Sequence, residues 1–348
     1  MRWLRATTIG ALLLAIGCAA DRAREARTSW AGVALGSYAV GVSVRRLRAA
    51  NDDEAAYVAL VWRPVTRADG PGATLEALAG ALCPDLDASG GARLGGCFPR
   101  LAGTIAGAAP AESDDALERL AGLRLAAALG GEPAAGDFPL AVVVGSLRGS
   151  AIEFASLGEA LASRGWVVAA VAPSAPPAEA EFDAASVVRV RAAIRAAVDE
   201  LSAAPGIDAS RIAVVAWSFG GVPAALEAAA DPRVDALVSL DSALRYAYGA
   251  ELIRAAPDYR PSSFEGAFLS VEAGIDNEVA KDDALAAELA ASPPRVVAVA
   301  GLDHGGFPDF AGALAAGVGS GAARAAFQRD RAAMIEMTAA FLAEIPAR

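Results

Sequence analysis

The sequence predicts an α/β fold: a mostly parallel central sheet with helices on both faces and an antiparallel pair of strands on its N-terminal side. Three observations carry this expectation. From Phe138 onward, short continuous apolar runs alternate with longer amphipathic stretches, the pattern of parallel strands buried on both faces and joined by helices. Between Ala184 and Ser202 the residues Val187, Val190, Ile194, Val198 and Leu201 recur at spacings of three and four, which makes one helical face apolar. Further upstream, Tyr38-Ala-Val-Gly-Val-Ser-Val44 and Ala56-Tyr-Val-Ala-Leu-Val-Trp62 flank the polar turn Asn51-Asp-Asp-Glu54, as two antiparallel strands would.

In chain order, the first expected element is not part of the fold. A basic start, Met1 to Arg5, precedes an apolar stretch from Ala6 to Gly17 that is too short to span a bilayer, so residues 1–18 read as an export signal. Leu14-Ala-Ile-Gly-Cys18 resembles the bacterial lipoprotein box, with Ala15 where that box usually has Leu. The expectation is cleavage before Cys18 and a lipid on its thiol, giving an exported protein of the cell envelope whose membrane contact is that anchor; plain cleavage and secretion is the alternative. Residues 19–36, including Asp21-Arg-Ala-Arg-Glu-Ala-Arg27, form a polar tether. Residues 37–348 are expected to be one domain.

The two expected antiparallel strands come next, followed from Thr66 to Asp137 by a Gly-, Ala- and Pro-rich stretch of weak periodicity. This reads as an insertion carrying one helix, Asp114 to Leu129. It holds Cys83 and Cys97. If Cys18 carries lipid, these are an even pair in an oxidising compartment and are expected to form a disulfide, with two free buried thiols as the alternative. The regular part then runs strand Leu140 to Val144, helix Ala151 to Arg164 stopped by Gly165, strand Trp166 to Val171, helix Ala184 to Ser202 and strand Ile212 to Ala216. A helix after Gly221 follows, then strands Val234 to Leu240, Ala267 to Glu272 and Val296 to Ala300, and a closing helix from Ala322 to Ala343.

Composition narrows the function classes. Apolar residues make up 55% of the chain and charged ones 20%, enough apolar material for a large core. The 41 acidic against 30 basic side chains give a net charge of −11, which repels a phosphate backbone, so nucleic acid is not an expected partner. No His, Cys and carboxylate spacing suits zinc, and no Gly-rich loop after the first strand suits a dinucleotide. No metal and no cofactor are expected.

Chemistry concentrates at Ala216-Trp-Ser-Phe-Gly-Gly221, where a buried strand meets a helix. A hydroxyl lifted above the strand ends by a tight, strained turn needs small residues two before and two after it, and Ala216 and Gly220 satisfy this. Ser218 is the candidate nucleophile; a plain helix-capping Ser is the competing explanation. A hydroxyl at neutral pH needs a base, and the chain's single His, His304, follows the last apolar strand in Ala300-Gly-Leu-Asp-His-Gly-Gly-Phe307. The acid that orients the imidazole has three candidates. Asp241 ends the strand Val234 to Leu240, while Glu272 and Asp276 lie at the end of the next. Topology alone leaves that choice open.

These segments resemble the platelet-activating-factor acetylhydrolase and dienelactone-hydrolase-like group of α/β hydrolases, over roughly Ser37 to Phe310. His304-Gly-Gly-Phe307-Pro-Asp309-Phe310 is similar to the His-x-x-Phe-x-Asp-Phe ending of the acetylhydrolase branch. The resemblance implies the α/β-hydrolase fold, with Asp241 as the acid and Glu272 or Asp276 as fallback. It also places Gly145-Ser-Leu-Arg-Gly149 where the group has a His-Gly-x-Gly-type turn, so the backbone amides of Leu147 and Phe219 are the expected oxyanion donors. The expected activity is hydrolysis of a small-molecule or lipid-like carboxylic ester through an acyl-enzyme. A peptidase, lactonase or polyester hydrolase with the same triad is an alternative, and so is a catalytically silent envelope lipoprotein that binds a ligand or partner.

Overall fold

The computed structural model describes Ser29 and residues 32–49, 52–82, 121–147, 150–173, 181–309 and 321–348. The expected export signal, Cys18, most of the expected tether, Cys83 and Cys97 lie outside the described residues.

The strands are β1 Ala39–Ala49, β2 Asp52–Arg67, β3 Ala128–Leu129, β4 Glu132–Pro133, β5 Phe138–Val144, β6 Val167–Pro173, β7 Ile207–Trp217, β8 Val234–Leu240, β9 Ala267–Ala273 and β10 Arg295–Val299. They form one sheet in the order β10-β9-β8-β7-β5-β6-β2-β1-β3, with β4 paired to β2. The six strands β5 to β10 run parallel to their neighbours within that set. β2 is antiparallel to both β1 and β6, the pairing with β1 being the hairpin expected of the two β-forming runs.

Helices cover both faces. On one side α2 (Ala155–Ser163) and α7 (Gly321–Ala343) pack Leu157, Leu161, Met334, Ile335 and Leu342 against Trp62, Ala141 and Val143. On the other side α3 (Ala184–Ser202) and α4 (Gly221–Ala230) pack Val187, Val190, Ile194, Val198, Val222 and Leu226 against Leu140, Val142 and Val144. Successive residues of β5 therefore feed opposite cores, which is why that strand is apolar throughout. Asp183 caps α3 by accepting the Ser186 amide at 2.8 Å.

Several sequence expectations differ from the structure. The turn expected over Asn51 to Glu54 is tighter, because β2 already begins at Asp52, which pairs with Ala49. The helix expected from Ala151 starts only at Ala155, because residues 151–154 are wound into a turn closed by Glu153 N donating to Ser150 O at 3.1 Å. The helix expected over Asp114 to Leu129 lies partly outside the described residues, and the described part leaves the helix after Ala121. Tertiary bonds take over there. Ala126 and Ala127 N–H donate to the Glu159 carboxylate at 2.7 and 3.2 Å, Ala73 N donates to Ala127 O at 2.7 Å, and β3 pairs parallel with β1. Such partners override local helix propensity. The helices α1 (Leu75–Leu82), α5 (Ala247–Ala255) and α6 (Leu285–Leu289) have no counterpart among the expected elements.

Glu159 supplies a stability prediction. Burial pushes its carboxyl from the ordinary 4.5 up to about 8, against the pull of the Ala126 and Ala127 amides and with the nearby Asp309 charge adding to the rise. The unfolded chain ionises this group well before the folded chain does. Its contribution to stability is therefore full below about pH 4.5 and is lost as pH rises towards about 8. Glu159→Gln removes that loss. The variant is expected to match the wild type near pH 4 and to exceed it in thermal unfolding by several degrees near pH 8.5. A gap that does not change with pH would contradict this account of Glu159.

Candidate active site

β7 ends at Trp217 and the chain turns through Ser218–Gly220 into α4. Ser218 has φ +54, a left-handed backbone that a non-glycine residue adopts only when its surroundings impose it. The surroundings are tight. Ala216 is buried between β5 and β8, and a Cβ at Gly220 would lie 2.4 Å from the carbonyl oxygen of Gly145. A side chain at position 220 would therefore collide with that carbonyl.

The last strand, β10, leads into a short turn, His304–Gly306, which carries the imidazole to the hydroxyl. His304 Nε2 lies 3.1 Å from Ser218 Oγ, and Nδ1 lies 2.7 Å from Asp241 Oδ2. Trp217 stacks on the imidazole at 5.1 Å with 27° between planes, and its Nε1 donates to His304 O at 3.2 Å. The Tyr246 ring approaches edge-on at 5.9 Å. The imidazole is thus held in plane and in depth by rings as well as by hydrogen bonds.

Asp241 follows β8 with φ +40, its amide donating to Val271 O on β9 at 2.7 Å. Its buried carboxylate accepts from four donors. Oδ2 takes His304 Nδ1 and the Tyr246 hydroxyl at 2.8 Å, while Oδ1 takes Arg245 Nη1 and Ala273 N, each at 3.0 Å. Burial alone would raise this carboxyl, but the bonds from His304, Ala273 and Tyr246 outweigh it and hold the group at about 2. The other two candidate acids are engaged elsewhere. Glu272 forms an ion pair with Arg245 at 3.2 Å, and Asp276, with a largely exposed side chain, meets Lys281 at 2.7 Å. Sequence reasoning missed Tyr246 and Arg245, although both stand within five residues of Asp241 in Asp241-Ser-Ala-Leu-Arg-Tyr246.

A cavity of about 330 Å³ opens over the hydroxyl, lined by Phe182, Ser218, Tyr246, Tyr248, Asn277, Val279 and His304. Phe182 meets Phe219 and Tyr248 edge-on at 5.5 and 5.2 Å, and Tyr246 and Tyr248 stack at 5.8 Å. Burial, with the nearby Asp241 charge, pushes the Tyr248 phenol up to about 12, so it presents a neutral hydroxyl. No Lys, Arg, Asp or Glu is among these lining residues. Asn277 Nδ2 donates to the Tyr246 hydroxyl at 2.9 Å and steadies that wall.

The turn Gly145 to Leu147 leaves β5 beside the elbow. Ser146 N and Oγ each bond to Glu153, at 3.0 Å, a partner the sequence reading did not identify. The residues that carry the family-like ending divide between core and cluster. Phe307 is buried, and Asp309 accepts Ser156 N at 2.8 Å together with Ser156 Oγ and Arg331. Phe310 lies outside the described residues. Among the described residues no three His, Cys, Asp or Glu side chains are grouped as a metal site would require.

No protein-family model matches the chain, and no curated protein sequence does. Solved structures do. A ferulic acid esterase from Streptomyces cinnamoneus is similar at a TM-score of 0.60, with 22% identity over 87% of this chain and 88% of that one. A protein designated m3DLH is similar at a TM-score of 0.50, with 15% identity over 88% of this chain and 99% of that one. At such identities the likeness is one of fold. Together with the parallel sheet covered on both faces, it identifies the chain as having the α/β-hydrolase fold.

Proposed function

We propose that the protein is an exported serine hydrolase that cleaves a carboxylic ester through an acyl-enzyme. The observation that carries this reading is the continuous hydrogen-bonded path from Ser218 Oγ through His304 to Asp241 at the floor of the cavity. Ser218 Oγ attacks the ester carbonyl as His304 Nε2 takes its proton, and the backbone N–H groups of Leu147 and Phe219 stabilise the oxyanion. Collapse of the tetrahedral intermediate returns that proton to the departing alcohol. A water then repeats the sequence on the acyl-enzyme, giving the acid and restoring the Ser hydroxyl. Asp241, ionised throughout, keeps Nδ1 protonated and stabilises the imidazolium that forms.

The uncharged, aromatic lining supports a neutral substrate with a flat or apolar body. Ferulic acid esterase, named for an aromatic-acid ester, has the same fold and fits that class. The export signal and Leu14-Ala-Ile-Gly-Cys18 support a location in the cell envelope, anchored by lipid on Cys18.

A fluorophosphonate probe tests the chemistry. It is expected to label the folded protein on the peptide carrying Ser218, to be blocked by a short-chain nitrophenyl ester, and to leave the denatured protein unlabelled. Folded protein that takes no label would refute the enzyme and leave the silent ligand-binding lipoprotein.

A further inference from the structure

We infer that Glu153 is the positioning residue that sets the Leu147 amide for the oxyanion. The inference rests on the serine-hydrolase reading and adds a side chain that lies outside the Ser218, His304 and Asp241 path.

Glu153 precedes α2 and is fully buried, an expensive place for a carboxyl. The buried Arg331 is bonded to Asp309 and Ser156. Each of the two Glu153 oxygens takes one donor of Ser146. Oε2 accepts Ser146 N and Oε1 accepts Ser146 Oγ, both at 3.0 Å. Holding the amide and the hydroxyl of Ser146 fixes its φ and χ1. Only its ψ remains soft before the peptide plane that carries the Leu147 N–H.

The packing around this clamp leaves no slack. A Cβ at Gly145 would lie 1.9 Å from Glu153 Oε2, so Gly145 is the residue that admits the carboxylate, and the same Gly145 presses its carbonyl on Gly220 in the elbow. The backbone of Glu153 reaches the base as well. Its carbonyl accepts Asp309 N at 2.7 Å, on the segment that carries His304. Glu153 therefore touches the oxyanion turn directly and the His segment through its backbone. Burial pushes the carboxyl up to about 7, against the pull of the Ser146 amide and hydroxyl and the Ser150 amide, with the Asp309 charge adding to the rise. A carboxyl of this kind works in either protonation state. Once protonated, it offers one acceptor and one donor, the pattern a glutamine reproduces.

The test uses the purified full chain and a short-chain nitrophenyl ester, with Glu153→Ala, Glu153→Gln, Ser146→Ala and the control Ser218→Ala. An amide misaligned with the oxyanion weakens the transition state more than substrate binding. Glu153→Ala is expected to lower kcat by about 10- to 100-fold with KM within about threefold, the range of a lost oxyanion donor and somewhat below it. Glu153→Gln is expected to restore kcat to within about threefold of the wild type. Ser146→Ala, which removes one of the two bonds, should lower kcat by about three- to tenfold and keeps the test decisive if Glu153→Ala does not fold. A folded Glu153→Ala with unchanged kcat, a loss confined to KM, no rescue by Gln, or wild-type kcat in Ser146→Ala would overturn the inference. Wild-type protein without Ser218-dependent turnover would bring down the serine-hydrolase reading, and this inference with it.

Discussion

Ser218→Ala is expected to lower kcat for ester hydrolysis by about ten-thousand-fold or more, because covalent attack and the proton transfer coupled to it vanish together. Binding should survive. The hydroxyl is a small part of a cavity walled by Phe182, Tyr246, Tyr248 and Val279, so inhibition by the product acid or a non-hydrolysable analogue should keep its constant within about threefold. Alanine inherits φ +54 at this position and gains no relief from strain. It loses only a 3.1 Å bond to His304, so thermal unfolding should move by no more than a few degrees. The pre-steady-state burst of nitrophenol should disappear with the steady-state rate. A variant that keeps more than about a hundredth of wild-type kcat would remove Ser218 from the chemistry.

The parts legible in the sequence are those set by local pattern. β5, β6, β8 and the second half of β7 showed as continuous apolar runs because they are covered on both faces, the edge strand β10 showed as a Val-rich run although only Val299 of it is buried, and α3 showed through its spaced apolar stripe. Ser218 was legible because small residues must surround a strained turn, and His304 because one imidazole in the chain falls just past the last strand. What stayed hidden depends on how the fold closes, whether the partners are near or far in sequence. Residues 122–129 leave a helical path because Glu159, over thirty residues later, takes their amides. Glu153 looks like any polar residue ahead of a helix, and only the fold brings it against Ser146 and Asp309. The choice among Asp241, Glu272 and Asp276 turned on where β8 and β9 end relative to Arg245, Lys281 and Tyr246. No spacing rule states that.

That choice carries the second large effect. Asp241→Asn is expected to lower kcat by about a thousand- to ten-thousand-fold. An amide placed at 2.7 Å from His304 Nδ1 must either offer its oxygen or its NH2. Tyr246, Arg245 and Ala273 all donate to this side chain, so three donors compete for the one remaining oxygen and the NH2 is driven towards Nδ1. It then donates there, which puts the ring proton on Nε2 and leaves no base for Ser218. Stability should follow the charge. The carboxyl sits at about 2 in the folded chain, below its ordinary 3.8, so its contribution is present above about pH 3.8 and is lost as pH falls through about 2. At pH 7 the variant should be less stable by about 2 kcal/mol, and the gap should close on acidification. Glu272→Gln and Asp276→Asn, which remove partners of Arg245 and Lys281 rather than of His304, should keep kcat within about threefold. If Glu272→Gln instead matched the loss in Asp241→Asn, the acid would be the one on β9 and the four bonds gathered on Asp241 would be structural.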